Sequence, residues 1–269
     1  MPHVQISTGI NVHYEEQGSG EPLILIMGTS GAIGTWAEFE DRFAQNYRVI
    51  TFDNRGIGET DRGDGAISVR SMAQDVAALM DALQIPQAHI LGWSLGSAVA
   101  QELAINYPDH VKSLILYSTW GRCDGFQAAV ITSLRYPYAQ GDLDVAATAT
   151  GLAFSPETLD RADLPEFLAP VLRGLPQSEV QIQTTVEQWD ADLAHDTVDR
   201  LAQIKTPTLV VVGEQDLLTP PWQSKKVADA IPGAEFHLLE GSNTPHFLHF
   251  EQPEVLANLM LTFLTKQRG

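Results

Sequence analysis

The chain has 269 residues, 44% of them hydrophobic and 19% charged, enough to bury one large core or a core with a subdomain. Its 34 acidic residues against 16 basic ones give a formal net charge of −18, so nucleic acid and anionic membrane surfaces are not expected partners. The single cysteine, Cys123, excludes an intrachain disulfide.

The N-terminal segment has neither the basic n-region nor the apolar h-region of a signal peptide. The strongest apolar run, "LILIM" at 23–27, is too short to span a bilayer. These observations predict a cytoplasmic protein without a membrane segment, and they leave its oligomeric state open.

Two alternating segments, "HVQIS" and "INVHYEE", open the chain and predict an antiparallel hairpin that turns at Thr8-Gly9. Short, nearly continuous apolar runs follow, separated by helical patterns, as in parallel strands buried on both faces. These runs cover residues 22–27, 47–52, 88–93, 111–118, 206–213 and 234–240. The helical patterns lie at 71–85, at 95–107, near 221–231 and from about 253 onward.

The alternation is interrupted at residues 121–204, which contain helical patterns and no convincing strand. We therefore predict a mostly parallel, doubly wound α/β sheet formed by residues 1–120 and 205–269, with residues 121–204 inserted as a helical cap. Ligands of such sheets bind outside the carboxyl ends of the strands. The loops after residues 27, 93, 118 and 213 are thus the places to look for a site.

The segment Gly92-Trp93-Ser94-Leu95-Gly96 has the pattern G-x-S-x-G between a predicted strand and a predicted helix. This context is typical of a nucleophile elbow, a strained turn that holds a serine hydroxyl exposed above a helix N-terminus. Glycines two residues away on each side relieve the crowding of such a turn. The alternative is a glycine-rich turn that contains a serine by chance.

A serine nucleophile needs a histidine base and a carboxylate that orients it, and in this architecture they follow in the order serine, acid, histidine. Asp216 lies just past the strand at 206–213, and His246 lies in the loop after the next strand. Other residues near these strand ends have the same chemistry. The alternatives are Glu214 and Asp124 for the acid and His249 for the base.

The oxyanion of acyl transfer needs preorganised donors. The backbone amide of Leu95, next to the serine, is one candidate, and that of Thr29, after Gly28 in the loop that follows the strand at 22–27, is the other. A flexible glycine turn is the alternative for this loop. Aromatic residues near strand ends or beside His246 are candidates for lining an apolar pocket, with ordinary packing as the alternative. They are Trp93, Trp120, Trp222 and Phe247.

Five segments in order, "PLILIMG", "VITFDNRGIGETD", the stretch from Asp75 to Leu116, "TPTLVVVGEQDLLTP" and "HFLHFEQPE", resemble the α/β-hydrolase superfamily. The resemblance covers nearly the whole chain outside 121–204. It is greatest to small esterases and lactonases of the pimeloyl-carrier-protein methyl esterase, 3-oxoadipate enol-lactonase and cofactor-free perhydrolase types. It implies that Ser94 is the nucleophile, Asp216 the acid and His246 the base, with Thr29 and Leu95 as oxyanion donors. It also implies that Asp53 and Arg55 fix the neighbouring loop.

Three positions depart from the family pattern. Met27 stands where the family usually has histidine, Pro245 precedes His246 in place of glycine, and Ser97 replaces a common glycine. The first two affect how the loops of the site are held, whereas a small residue such as Ser97 is expected to be tolerated.

We therefore predict a serine hydrolase that cleaves a carboxylic ester or lactone of a small, largely apolar substrate, with no metal or organic cofactor. A C–C bond hydrolase, a perhydrolase or a lyase using the same three residues is the alternative within the fold. A non-catalytic binding protein is a third hypothesis. The presence of serine, acid and histidine together argues against it, because binding alone does not require all three.

Overall fold

The computed structural model describes residues 2–267, which form an eight-stranded sheet in the order β1-β2-β4-β3-β5-β6-β7-β8. The strands are β1 (His3–Gln5), β2 (Asn11–Gly18), β3 (Glu21–Ile26), β4 (Tyr47–Phe52), β5 (Ala88–Trp93), β6 (Val111–Tyr117), β7 (Thr208–Gly213) and β8 (Glu235–Leu239). The pairs β1–β2 and β2–β4 are antiparallel and the other pairs are parallel. The predicted mostly parallel α/β sheet is confirmed.

Helices cover both faces of this sheet. They are α1 (Asp41–Ala44), α2 (Val69–Ala82), α3 (Leu95–Asn106), α4 (Gly125–Gln140), α5 (Leu143–Ala149), α6 (Pro156–Leu159), α7 (Leu164–Arg173), α8 (Glu179–Ala194), α9 (Pro221–Ala230), α10 (Leu248–Glu251) and α11 (Pro253–Lys266). Short 3-10 turns lie at Ile33–Trp36, Pro108–His110, Thr150–Ala153 and Val198–Gln203. None of the helices within residues 2–267 is both long and apolar enough to cross a membrane.

Successive residues of the central strands belong to two separate apolar cores. In β3, Ile24 and Ile26 pack with α2 and α3, whereas Leu23 and Leu25 pack with α11 on the opposite face. Side chains of a strand point alternately to the two faces, so a strand covered on both faces is apolar throughout. This packing accounts for the continuous apolar runs of the sequence.

Residues 121–204, called the insertion below, contain α4 to α8 and one isolated bridge between Arg122 and Asp196, at the two ends of the segment. Helices α4 and α8, the two longest of the insertion, pack against each other. The insertion thus leaves the core after β6 and returns to it before β7.

The turn after β4 connects several loops near the carboxyl edge of the sheet. The buried Asp53 carboxylate accepts hydrogen bonds from the amides of Ile33 (2.8 Å) and Glu59 (3.0 Å). The Asn54 side chain donates to the carbonyl of Met27 (3.0 Å), while Arg55 forms a buried ion pair with Asp75. These contacts hold the loop that follows β3 against the rest of the core.

Candidate active site

Ser94 lies between the last residue of β5 and the first residue of α3, with φ 54° and ψ −123°. This region is sparsely populated by residues other than glycine and costs on the order of 1–3 kcal/mol, so it persists only where its surroundings impose it. The Ser94 amide donates to the carbonyl of Tyr117 (3.0 Å), which fixes the turn to the end of β6. The predicted strand, strained serine and helix therefore occur in that order.

The glycines around Ser94 are required by close backbone contacts. A Cβ at Gly92 would lie 2.2 Å from the carbonyl oxygen of Gly96, and a Cβ at Gly96 would lie 2.0 Å from that of Ile26. A Cβ at Gly28 would lie 3.1 Å from the Cβ of Ser94. No side chain fits at Gly92 or Gly96 without movement of the main chain, so these two glycines let β3 and the elbow pack directly against each other.

His246 and Asp216 form a buried pair, each 2% exposed. Nδ1 of His246 lies 3.0 and 2.9 Å from the two carboxylate oxygens of Asp216. The carboxylate also accepts hydrogen bonds from the amides of Leu218 (3.0 Å) and Thr219 (2.8 Å) and from the Thr219 hydroxyl (2.8 Å). These contacts fix the carboxylate and hold the ring through Nδ1, so that Nε2 is the nitrogen left for other partners.

The main chain of His246 is anchored by two aromatic side chains. Its carbonyl accepts a hydrogen bond from the Tyr117 hydroxyl (2.7 Å) and one from the indole N–H of Trp93 (3.2 Å). These contacts join the loop after β8 to the ends of β5 and β6. Tyr117 was not singled out from the sequence, because its partner His246 lies 129 residues away. Thr219 was also missed, although its partner Asp216 is only three residues away.

The alternative acids and base have other roles. The Glu214 carboxylate accepts from the amide of Gly241 (2.8 Å) at the surface, and Asp124 caps α4 through the amide of Gln127 (3.0 Å). His249 is fully enclosed, and burial lowers its pKa to about 3. Its ring nitrogens lie 3.2 Å from the Tyr117 hydroxyl and 3.2 Å from the Thr35 carbonyl. Of the candidates, His246 lines the same cavity as Ser94 and is bonded to Asp216.

Residues 27–31 form the loop after β3, called the 27–31 loop below. Met27 is buried, and a Cβ at Gly31 would lie 2.7 Å from the Met27 Cγ, so the methionine side chain packs against the loop from the core side. Thr29 lines the same cavity as Ser94, and Leu95 is the first residue of α3. At the third departure from the family pattern, the Ser97 hydroxyl donates to the carbonyl of Ser94 (2.6 Å).

Ser94 and His246 line one cavity of about 70 Å³, room for a few water molecules. Its wall contains the predicted Thr29, Trp93 and Phe247. The insertion contributes ten further residues to the wall. They are Leu134, Tyr138, Ala146, Ala149, Thr150, Ala153, Val171, Gly174, Leu175 and Trp189.

Two predicted pocket residues lie elsewhere. Trp120 is 1% exposed and belongs to the core on the α2/α3 side, while Trp222 is 47% exposed and donates its indole N–H to Asp124 (2.9 Å). Both come close to strand ends in the sequence, but nearness along the chain does not determine the direction in which a side chain points. Neither tryptophan lines the cavity that contains Ser94, which corrects the prediction that they line its pocket.

No grouping of three or more His, Cys, Asp or Glu side chains that suits a metal ion occurs in the part of the chain that the structure describes. The groups that line or adjoin the cavity include a strained serine and a histidine held by a carboxylate.

Comparison with known proteins places this site in a family. The family model described as the alpha/beta hydrolase fold matches residues 21–253. The chain is 29% identical to a protein of Azorhizobium caulinodans provisionally named carbamate hydrolase RutD, over 94% of each chain. It is 32% identical to a Mycobacterium tuberculosis protein provisionally named non-heme bromoperoxidase BpoC, over 97% of this chain and 100% of that one.

Among solved structures, Est816, described as an N-acyl homoserine lactone degrading enzyme, is similar with a TM-score of 0.82 and 28% identity. The similarity covers 97% of this chain and 100% of that one. The chain belongs to the α/β-hydrolase family. The predicted family, its relationship to a lactone-degrading enzyme and the assignment as a hydrolase are thereby confirmed.

Proposed function

We propose that this protein is a serine hydrolase that cleaves a carboxylic ester or lactone of a small, largely apolar substrate through an acyl-enzyme on Ser94. The observation that carries the proposal is the placement of a strained Ser94 in the same cavity as His246, whose Nδ1 is held by the buried carboxylate of Asp216. A purely structural turn gives no reason to maintain this strain beside an oriented imidazole.

In the proposed reaction, Nε2 of His246 takes the proton of the Ser94 hydroxyl while Oγ attacks the substrate carbonyl. The amides of Leu95 and Thr29 stabilise the negative oxygen of the tetrahedral intermediate. The imidazolium then protonates the leaving alcohol, and a water deprotonated by the same nitrogen releases the acid. Asp216 keeps the ring in one tautomer and stabilises its positive form.

The wall of the cavity indicates the substrate class. Leu134, Val171, Trp93 and Phe247 give the cavity a mostly apolar lining, and its size suits a small acyl or alcohol group. We assign residues 121–204 the role of a cap that closes this space. The similarity to Est816, whose description names a lactone, supports lactones alongside open esters.

Carbamate hydrolysis is a second candidate, favoured by the similarity to RutD over nearly the full length of both chains. The same three residues serve it, because a carbamate carbonyl also passes through a tetrahedral oxyanion. The two activities differ in the leaving group and in the acid released. Transfer of the acyl group to hydrogen peroxide and hydrolysis of a C–C bond are further reactions open to this fold.

The test has two parts. A fluorophosphonate probe is expected to label the folded wild-type protein at Ser94, as shown by peptide mapping, and to leave Ser94→Ala unlabelled. Turnover of p-nitrophenyl esters, acyl lactones, a carbamate and a 1,5-diketone is then compared between the two proteins. Activity on esters or lactones that Ser94→Ala reduces on the order of 10⁴-fold supports the proposal. Activity confined to the carbamate or the diketone would overturn the ester assignment, and absence of labelling would overturn the nucleophile.

A further inference from the structure

Helix α8 of the insertion is hydrogen-bonded to the 27–31 loop at two successive residues. The Thr29 hydroxyl donates to Oδ2 of Asp192 (2.8 Å), and the Ser30 amide donates to Oε1 of Gln188 (2.7 Å). Asp192 and Gln188 are four residues apart and therefore share one face of the helix.

Burial of the Asp192 and Gln188 side chains lowers the stability of the folded protein. Asp192 is 1% and Gln188 0% exposed. Within residues 2–267, Oδ1 of Asp192 and Nε2 of Gln188 have no hydrogen-bond partner. A buried polar atom without a partner costs about 1–3 kcal/mol, so apolar residues would give this helix face a more stable packing. The atoms of these side chains that do have partners are those bonded to the loop.

The 27–31 loop contains a backbone conformation that contacts with neighbouring elements must stabilise. Ser30 has φ 63°, a left-handed conformation that is unfavourable for residues other than glycine or asparagine. On its other side, Gly28 packs against Ser94 and Trp93. The 27–31 loop therefore lies between the nucleophile turn and the insertion, and the hydrogen bonds from α8 are directed to the residues that follow Gly28.

We propose that Asp192 and Gln188 are positioning residues that hold the 27–31 loop in the geometry of the oxyanion hole, so that this hole is complete only when the insertion is packed on the core. The inference rests on the proposed function, because it presupposes a tetrahedral oxyanion near Thr29. Packing of the insertion over a substrate and stabilisation of its transition state would thereby be linked through two side chains that do not line the cavity.

The charge on Asp192 matters for this role. Burial raises its pKa to about 8, opposed by the Thr29 hydrogen bond, so the carboxyl is neutral at pH 7. The titratable groups around it are Cys123, whose thiol pKa is itself raised by burial and by Asp192, and His195 on the next turn, whose pKa burial lowers to about 4. A neutral carboxyl does not oppose an oxyanion, whereas an ionised one beside Thr29 would.

The experiment changes each end of the Thr29–Asp192 hydrogen bond and measures kcat and KM on an ester that the wild-type protein hydrolyses. Thr29→Val and Asp192→Ala each remove the bond, and we expect kcat to fall about 10- to 100-fold with KM within about threefold of wild type, the effect of a small misplacement of catalytic donors. Thr29→Ser keeps the hydroxyl and is expected to stay within a few-fold of wild type. The double variant should lose no more than the larger single loss.

Asp192→Asn keeps an acceptor but cannot ionise. We expect it to retain most of kcat at pH 7 and to decline less than the wild-type protein between pH 7.5 and 9.5. Asp190→Asn, an exposed position on the same helix paired with Arg135, is the matched control and should follow the wild-type profile. Melting temperatures identify any variant that fails to fold. If an Asp192 variant fails to fold, the comparison of Thr29→Val with Thr29→Ser tests the inference by itself, because these two substitutions leave α8 unchanged.

Two results would overturn the inference: a wild-type kcat for Thr29→Val, or losses for Thr29→Val and Asp192→Ala that multiply in the double variant. Both are distinguishable from failure of the proposed function. If Ser94 is labelled and required while Thr29→Val behaves as wild type, only the inference fails. If Ser94→Ala keeps full turnover, the proposed function fails whatever the Thr29 variants do.

Discussion

The floor and the roof of the cavity are built in different ways. The floor consists of the loops after β3, β5, β7 and β8, and the roof consists of the helices of the insertion. In the floor, glycines bring main chains into direct contact, as at Gly92 and Gly96, and every polar side chain of the Asp216–Thr219–His246 group is hydrogen-bonded.

The roof packs less completely. Nine of the twelve exposed large apolar side chains within residues 2–267 lie in the insertion. The insertion also contains many of the buried polar atoms that have no partner among the described residues. They belong to Gln127, Thr184, Thr185, Gln188, Trp189, Asp192 and His195. Incomplete packing and unmet hydrogen bonds are features of segments that open at low free-energy cost.

This difference suggests a division of roles, in which the floor carries the chemical groups and the roof selects the substrate. The proposed nucleophile, base and acid are all attached to the floor, where a movement of about 1 Å would be costly for catalysis. The roof supplies about half of the residues that line the cavity, and we propose that it sets the shape that a substrate must fit. The two parts meet at the 27–31 loop, which belongs to the floor but is hydrogen-bonded to the roof.

The largest expected effect is on the chemistry of the floor. Asp216→Asn replaces one carboxylate oxygen by an amide N–H₂ that can donate to Nδ1 of His246 and so hold the ring in the wrong tautomer. We therefore expect kcat to fall on the order of 10³- to 10⁴-fold with little change in KM. Steady-state hydrolysis of a reactive ester measures both parameters. Glu214→Gln, two residues away and hydrogen-bonded to the amide of Gly241, is the matched control and should keep wild-type kcat. Equal losses in the two variants would show that the effect is not specific to the pair.

The next effect is on stability. Gly96→Ala places a Cβ 2.0 Å from the carbonyl oxygen of Ile26, and relief requires movement of β3 or α3. We expect the free energy of unfolding in urea to fall by about 3 kcal/mol or more. The corresponding change in the roof, Gly151→Ala, has its nearest contact 3.8 Å away at Leu159 and should be neutral or slightly stabilising. A similar loss at both positions would contradict the contrast between floor and roof.

A third effect concerns the buried acid of the roof. The carboxyl of Asp192 titrates near 3.8 in the unfolded chain and at about 8 in the folded protein. Between these values the folded state keeps a proton that the unfolded state has lost, so this group lowers stability as pH rises, by up to about 1.4 kcal/mol per pH unit. Asp192→Asn is therefore expected to gain melting temperature relative to wild type from pH 5 to pH 8. A difference that stays constant across this range, or that Asp190→Asn reproduces, would contradict it.

The sequence predicted the floor far better than the roof, for a physical reason. Ser94, Asp216 and His246 each follow a strand whose apolar pattern is local, and parallel strands end at a common edge, so their proximity follows from the order of elements. The hydrogen bond from Thr29 to Asp192 joins residues 163 positions apart, and no local pattern signals it. Trp120 and Trp222 show the same limit, since their positions were predicted but their side-chain directions were not.

The smallest effect tests whether the roof sets selectivity. Leu134 of α4 is buried at the cavity wall, so Leu134→Ala enlarges the space available to the acyl group. We expect the ratio of kcat/KM between a longer and a shorter p-nitrophenyl ester to shift about tenfold toward the longer one, the scale set by one or two methylenes in an apolar pocket. Tyr136→Ala, on the same helix but 63% exposed, should leave the ratio unchanged. If Leu134→Ala lowers kcat/KM for both esters by the same factor, the residue supports the fold of the roof and the floor alone determines which substrate reacts.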